Sequence, residues 1–69
     1  MTAIGQNIKR FREELEMSQQ DLAIKIRVGT ATIDKYESGL QTPDTQTILK
    51  ISTVLDIPVS ELMQEESHI

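Results

Sequence analysis

Apolar residues recur along this chain at spacings of three and four, and this periodicity constrains its fold more than any other feature. The first run consists of Ile4, Ile8, Phe11 and Leu15. These residues share one stripe of a helix, which we expect to extend from about Ile4 to Glu16. No strand signal competes with the helical pattern. The sequence therefore predicts an all-α fold.

Two short helices are predicted between Ser18 and Gly39. Ser18 and Asp21 match a capping box with Asp in place of Glu, so a second helix begins there and ends near residue 27 or 28. A third begins near residue 29 or 30 and ends at Gly39, a residue suited to the left-handed conformation past a helix end. Their inward-facing residues are Leu22, Ile26, Ile33 and Tyr36.

The connection between these two helices indicates a function. It is only about three residues long, which is too short for antiparallel packing and suits the sharp angle of a helix-turn-helix. The second helix of that motif enters the major groove of DNA. The stripe opposite the buried side of the third helix consists of Thr30, Ala31, Asp34, Lys35 and Ser38. These residues are the candidates for base contact.

Two more helices complete the chain. Pro43 and Asp44 mark the start of a fourth helix, with Asp44 as its cap, and the segment 56–58 interrupts it before a short fifth helix. The expected buried side of the fourth helix is Ile48, Leu49, Ile51, Ser52 and Leu55, and the fifth carries Val59, Leu62 and Met63. Five helices in 69 residues predict one small domain, residues 1–69, with a helix-turn-helix core at about 18–38.

The sequence contains no recognisable set of catalytic residues. It has no cysteine, its only histidine is His68, and it contains no glycine-rich phosphate loop or metal-ligand spacing. The acidic residues Glu13, Glu14 and Glu16 point in different directions on a helix, so we expect a solvated face there and not a metal site. We expect no enzymatic activity, no cofactor and no metal.

No segment of the sequence is long and apolar enough to span a membrane. The longest uninterrupted apolar run is 22–24, far below the ~20 residues that span a bilayer. The first ten residues lack the apolar stretch of a signal peptide. We therefore expect a cytoplasmic protein.

The charge is unevenly distributed. The formal net charge is −4, which by itself argues against a nucleic-acid partner. Residues 1–42, however, carry six basic and six acidic residues, whereas residues 43–69 carry one basic and five acidic residues. Since the whole deficit lies in the C-terminal part, a DNA-binding face on the neutral N-terminal part is compatible with the composition.

The segment from Ile4 to Met63 resembles the Cro/lambda-repressor type of helix-turn-helix domain, the Xre family of bacterial and phage regulators. The matching features are Arg12, Ser18-Gln19, Leu22-Ala23, Ile33, Glu37-Ser38-Gly39, Pro43, Leu55 and Leu62. The resemblance implies a compact five-helix bundle of the lambda-repressor-like DNA-binding type. It also implies a sequence-specific regulator of double-stranded DNA, most simply a homodimeric repressor.

The resemblance assigns roles to individual residues. Base contacts are implied for Thr30, Ala31, Asp34 and Lys35, and phosphate contacts for Gln19, Arg27, Ser38 and Gln41. Arg12 and Glu37 match a structural ion pair between the first and third helices. Asp34 is ambiguous, because its carboxylate can accept from a cytosine amino group, or it can cap its own helix or balance Lys35 there.

Some positions depart from the family pattern. Arg27 and Glu16 stand where glycine is frequent, and Gly29 stands where a small polar cap is common. Ile24 is apolar where the family is polar. Ile24, Asp34 and the acidic charge favour a second hypothesis, in which the fold serves as an antitoxin-like or adaptor module with weak or lost DNA contact.

The C-terminal part is the expected dimer interface. One short recognition helix reads few base pairs, so a two-fold dimer would double the readout. Val59 and Met63 are the interface candidates within residues 59–69, where Ile69 is also apolar and Glu61, Glu65 and Glu66 oppose association. Since 69 residues leave no room for a ligand-sensing domain, we expect control through abundance, through a regulatory partner protein or through a longer parent chain.

Overall fold

The computed structural model describes residues 3–64, which form five helices. They are α1 (Ile4–Glu14), α2 (Gln19–Ile26), α3 (Thr30–Ser38), α4 (Thr45–Leu55) and α5 (Val59–Leu62). No residue in this range belongs to a strand. The all-α, five-helix prediction is therefore confirmed, although α1 ends at Glu14, two residues before the expected end. In the same range, no helix combines the length and apolar character needed to cross a membrane.

The helix starts follow from local hydrogen bonds that the sequence signals. Ser18 Oγ accepts from the backbone N–H of Asp21 at 2.9 Å, and the Asp21 carboxylate accepts from the backbone N–H of Ser18 at 3.2 Å. The capping box at α2 is thus confirmed. Asp44 caps α4 by accepting from the backbone N–H of Thr47 at 2.8 Å. Hydrogen bonding from Thr47 lowers the pKa of the Asp44 carboxyl, since it stabilises the charged form.

Several helix ends place the chain in the left-handed region. Gly39 ends α3 with φ +84°, as its residue type predicts. Glu16, Arg27 and Asp56 adopt the same region with φ of 56°, 63° and 57°. The two positions where the related family often has glycine, Glu16 and Arg27, therefore keep the glycine-like backbone with a side chain attached. Each such residue stores about 1 kcal/mol or more of strain.

The helices enclose one apolar core. Its buried members are Ile4, Ile8, Leu22, Ala23, Ile26, Ile33, Tyr36, Ile48, Ile51, Leu55 and Leu62. Two residues expected inside are not, because Leu15 and Leu49 are each 51 % exposed. Leu15 lies beyond the last residue of α1, where the helical stripe ends. Leu49 lies about 100° around α4 from Ile48 and falls outside the buried stripe.

Two contacts fix α1 against the rest of the bundle. A Cβ atom added at Gly5 would lie 2.2 Å from the Tyr36 carbonyl oxygen, so α1 and α3 approach more closely than a side chain allows. Asn7, which is buried, donates through Nδ2 to the Leu62 carbonyl oxygen at 2.8 Å and so ties α1 to α5. The close approach of α1 to α3 brings Arg12 opposite Glu37.

Candidate nucleic-acid interface

The exposed face of α3 carries the four residues expected to contact bases. Thr30, Ala31, Asp34 and Lys35 are all exposed. On the opposite side of the same helix, Ile33 and Tyr36 are buried in the core. The apolar contacts of those two residues thus fix the rotation of α3 about its axis and the direction in which the exposed face points.

The turn between α2 and α3 is short and well packed. The backbone N–H of Val28 donates to the Ala23 carbonyl at 3.0 Å and that of Arg27 donates to the Ile24 carbonyl at 3.3 Å, which is the hydrogen-bond pattern of a Schellman motif. Val28 packs against the core, and Gly29 caps α3 without a side-chain hydrogen bond. The angle between the two helices is therefore set by backbone hydrogen bonds and by the anchoring of Val28.

Arg12 and Glu37 form a nearly buried, bidentate ion pair. Arg12 Nε donates to Glu37 Oε2 at 2.7 Å, and Nη2 donates to Oε1 at 3.1 Å. Nη1 donates to the Met17 carbonyl at 2.6 Å. Only 9 % of the Arg12 side chain and 4 % of the Glu37 side chain are exposed. Hydrogen bonding to Glu37 raises the pKa of Arg12 against the opposing effect of burial, and the two hydrogen bonds of the pair hold α3 to α1.

Gln19 joins α2 to α3 through two carboxylates. Its Nε2 donates to Glu37 Oε1 at 3.0 Å and to Asp34 Oδ1 at 3.3 Å. The resemblance implies that Gln19 contacts a phosphate and helps to orient the start of α3, and the structure gives its two carboxylate partners on that helix. Asp34 is held by Gln19 and, among the described residues, forms no salt bridge with Lys35. These four side chains, Arg12, Glu37, Gln19 and Asp34, form one network, which we call the α1–α3 network.

The remaining candidates for phosphate contact lie at helix ends. Arg27, Ser38 and Gln41 are exposed. Ser38 Oγ donates to the Lys35 carbonyl at 3.3 Å, and the backbone N–H of Gln41 donates to the same carbonyl at 3.2 Å. The loop after α3 therefore folds back on the helix end and presents Ser38 and Gln41 at one end of the exposed face.

The expected dimer residues are only partly accessible. Val59 and Met63 are half-buried and pack against the core. Glu65, Glu66, His68 and Ile69 lie outside the described residues. Within residues 3–64, no group of His, Cys, Asp and Glu is arranged to hold a metal ion.

Comparison with known proteins identifies similar chains. A family model described as helix-turn-helix matches residues 8–62. The chain is similar to the HTH-type transcriptional regulator SinR of Bacillus subtilis, with 41 % identity over 64 residues, covering 91 % of this chain and 58 % of SinR. It is 32 % identical to the uncharacterized HTH-type transcriptional regulator YqaE of the same organism, covering 93 % of this chain and 55 % of YqaE.

A solved structure agrees with this similarity. The crystal structure of the biofilm-formation regulator SinR in complex with DNA superposes with a TM-score of 0.82 at 40 % identity. The match covers 88 % of this chain and 98 % of that one. Against the full-length curated relatives, by contrast, the chain spans little more than half their length.

Proposed function

This chain belongs to the Cro/lambda-repressor-type (Xre) family of helix-turn-helix proteins, and from that membership we propose that it is a sequence-specific transcriptional regulator of double-stranded DNA, most simply a repressor. The observation that carries the proposal is the exposed face of α3. Its four polar or small residues point away from the core on a helix whose orientation is fixed by the α1–α3 network. That geometry suits insertion of α3 into the major groove.

Each base-contacting residue has chemistry that fits a base edge. Lys35 can donate to guanine O6 or N7, and Asp34 can accept from the cytosine amino group. Thr30 can bond to a base or to a phosphate, and the Ala31 methyl can pack on a thymine methyl. These roles give the α3 face a mixed donor, acceptor and apolar pattern, which is the requirement for direct readout.

For Gln19 to contact a phosphate, it has to give up one of its present hydrogen bonds. Both hydrogens of its amide are directed at carboxylates, so a hydrogen bond from this side chain to phosphate has to replace one to Asp34 or Glu37. The longer bond, to Asp34, is the weaker of the two. We propose that Gln19 keeps Glu37 and exchanges Asp34 when DNA binds, which frees Asp34 to face a base. Arg27, Ser38 and Gln41 supply the other proposed phosphate contacts.

We also propose how the chain is organised when it binds. Residues 1–69 act as a single DNA-binding domain in the cytoplasm, with the helix-turn-helix at about 18–38. Two copies associate through the C-terminal part, with Val59 and Met63 at the contact. A two-fold dimer would place its α3 helices about 34–36 Å apart, in successive major grooves.

Selection from random duplexes tests the function directly. The chain is incubated with a library of random double-stranded DNA, and the bound fraction is sequenced after repeated rounds. We expect inverted repeats with half-sites about one helical turn apart. The control is the variant Lys35→Ala, which should lose preference at one base pair per half-site. An unenriched library would exclude the proposed function.

A further inference from the structure

A groove between α2 and α4 exposes apolar surface outside the exposed face of α3. It has a volume of about 480 Å³ and includes no residue of α3. Ile26, Leu49 and Val54 contribute its apolar lining. Leu49 is 51 % exposed although α4 buries its neighbours Ile48 and Ile51. The packing of the described residues thus leaves this apolar surface uncovered.

The same groove is basic on both sides. Lys25 and Arg27 come from the last turn and cap of α2, and Lys50 comes from α4. These are three of the seven Lys and Arg residues of a chain whose net charge is −4. Among the described residues, none of the three forms a salt bridge, and no Asp or Glu lines the groove. An apolar strip with unpaired positive charge on both sides is therefore available to a complementary ligand.

We propose that this α2–α4 groove docks an acidic amphipathic helix of a partner protein. An amphipathic helix would lay its apolar side on Leu49 and Val54, which is the helix-in-groove mode of recognition. Carboxylates on either side of that apolar stripe would face Lys25 on one side and Lys50 on the other. Charge complementarity of this kind selects acidic partners and excludes basic ones.

The observations favour this occupant over a second copy and over DNA. Helix α5 of a second copy is a poor occupant, because it is four residues long and carries a single carboxylate, Glu61, to place opposite the three cations of the groove. DNA phosphates would pair with the cations but would leave Leu49 without an apolar contact. The groove also shares Arg27 with the proposed phosphate contacts. An acidic helix paired with Arg27 would therefore weaken DNA binding, which makes the partner a regulator.

The test uses a synthetic peptide and the isotopically labelled full chain. The probe is an acetylated peptide of about 16 residues, long enough to be helical, with Leu at positions i, i+3 and i+7 and Glu on both flanks. Its binding is followed by backbone amide shifts in NMR. We expect saturable shifts concentrated at residues 25–27 and 49–54. We also expect at least tenfold weaker binding to the variants Leu49→Asp and Lys50→Glu.

A matched control variant separates the groove from general surface effects. Ile24→Asp introduces the same charge at an apolar residue that is 67 % exposed on α2 and does not line the groove. It should bind the probe with unchanged affinity. Circular dichroism checks that each variant is folded. We expect the variants at Leu49 and Lys50 to fold, because both residues are exposed.

Any one of the following outcomes would overturn the proposal. A scrambled peptide or one with Lys in place of Glu binds as well as the probe, or the shifts map to α3. Leu49→Asp abolishes self-association in sedimentation, which would make the groove an interface between copies. Lys50→Glu weakens binding to a selected duplex as much as binding to the probe, which would make it a DNA site. Because the peptide titration contains no DNA, its result is independent of the proposed function.

Discussion

Replacing Arg12 with alanine tests whether the α1–α3 network holds the fold together. The change removes two hydrogen bonds to Glu37 and one to the Met17 carbonyl. It also leaves the Glu37 carboxylate, 4 % exposed, without its counter-ion. Breaking such a pair costs about 3–5 kcal/mol. Since Gln19 Nε2 still donates to Glu37, we expect the lower part of that range, about 3–4 kcal/mol.

This loss is large for so small a domain. At about 0.05–0.15 kcal/mol per residue, the whole chain has a free energy of unfolding of about 3–10 kcal/mol. Urea denaturation followed by circular dichroism would measure the change. Arg10→Ala is the matched control, because Arg10 is an exposed residue on the same helix whose guanidinium lies 4.6 Å from the Phe11 ring centroid. It should cost about 0.5–1 kcal/mol.

A double-mutant cycle with Glu37→Ala isolates the pair itself. Residues in direct contact show coupling of about 0.5–3 kcal/mol, and the bidentate geometry places this pair toward the upper end. Strictly additive effects, or a cost for Arg12→Ala no greater than that for Arg10→Ala, would refute the reasoning.

Three further predictions follow from the backbone and from the α3 face. Arg27→Gly should raise stability by about 1 kcal/mol in thermal unfolding, because Arg27 has φ +63°; a loss of stability would contradict the strain argument. Gly5→Ala should lower the melting temperature sharply, because the added methyl group would lie 2.2 Å from the Tyr36 carbonyl oxygen. In the control Gly29→Ala the nearest atom to the methyl group is Thr32 Oγ1 at 4.0 Å, so the melting temperature should not fall in this way. In binding assays, Lys35→Ala should cost about 1–3 kcal/mol and relax preference at one base pair, whereas Gln19→Ala should weaken all duplexes alike; identical profiles would refute the assignment.

The helices could be read from the sequence because their signals are local. Ser18 and Asp21 are three residues apart, and the same is true of Asp44 and Thr47, so the hydrogen bonds that cap α2 and α4 depend on short segments alone. The spacing of Ile33 and Tyr36 likewise fixes which side of α3 is buried. These features do not depend on how distant segments meet.

Other features depend on tertiary packing and could not be read in this way. The periodicity of α4 places Leu49 beside its buried stripe, and whether a residue at that place is covered depends on how closely α2 approaches α4. The bridge from Gln19 to Asp34 joins residues fifteen positions apart, and their meeting requires the α2–α3 turn to have its observed angle. From the sequence alone, the partner of Asp34 could be a base, Lys35 or its own helix. The structure shows a different partner, Gln19.

The α1–α3 network links the stability of the fold to recognition. Glu37 accepts from both Arg12 and Gln19 through Oε1, so a change at Arg12 alters the environment of the amide that also holds Asp34. In the unbound protein, the position of the Asp34 carboxylate thus depends, through Gln19 and Glu37, on a guanidinium on α1. Lysine at position 12 would keep the charge but lose the planar fork that reaches both carboxylate oxygens and the Met17 carbonyl. Arg12→Lys should therefore lower the free energy of unfolding in urea denaturation and weaken binding to all duplexes alike, although the net charge is unchanged.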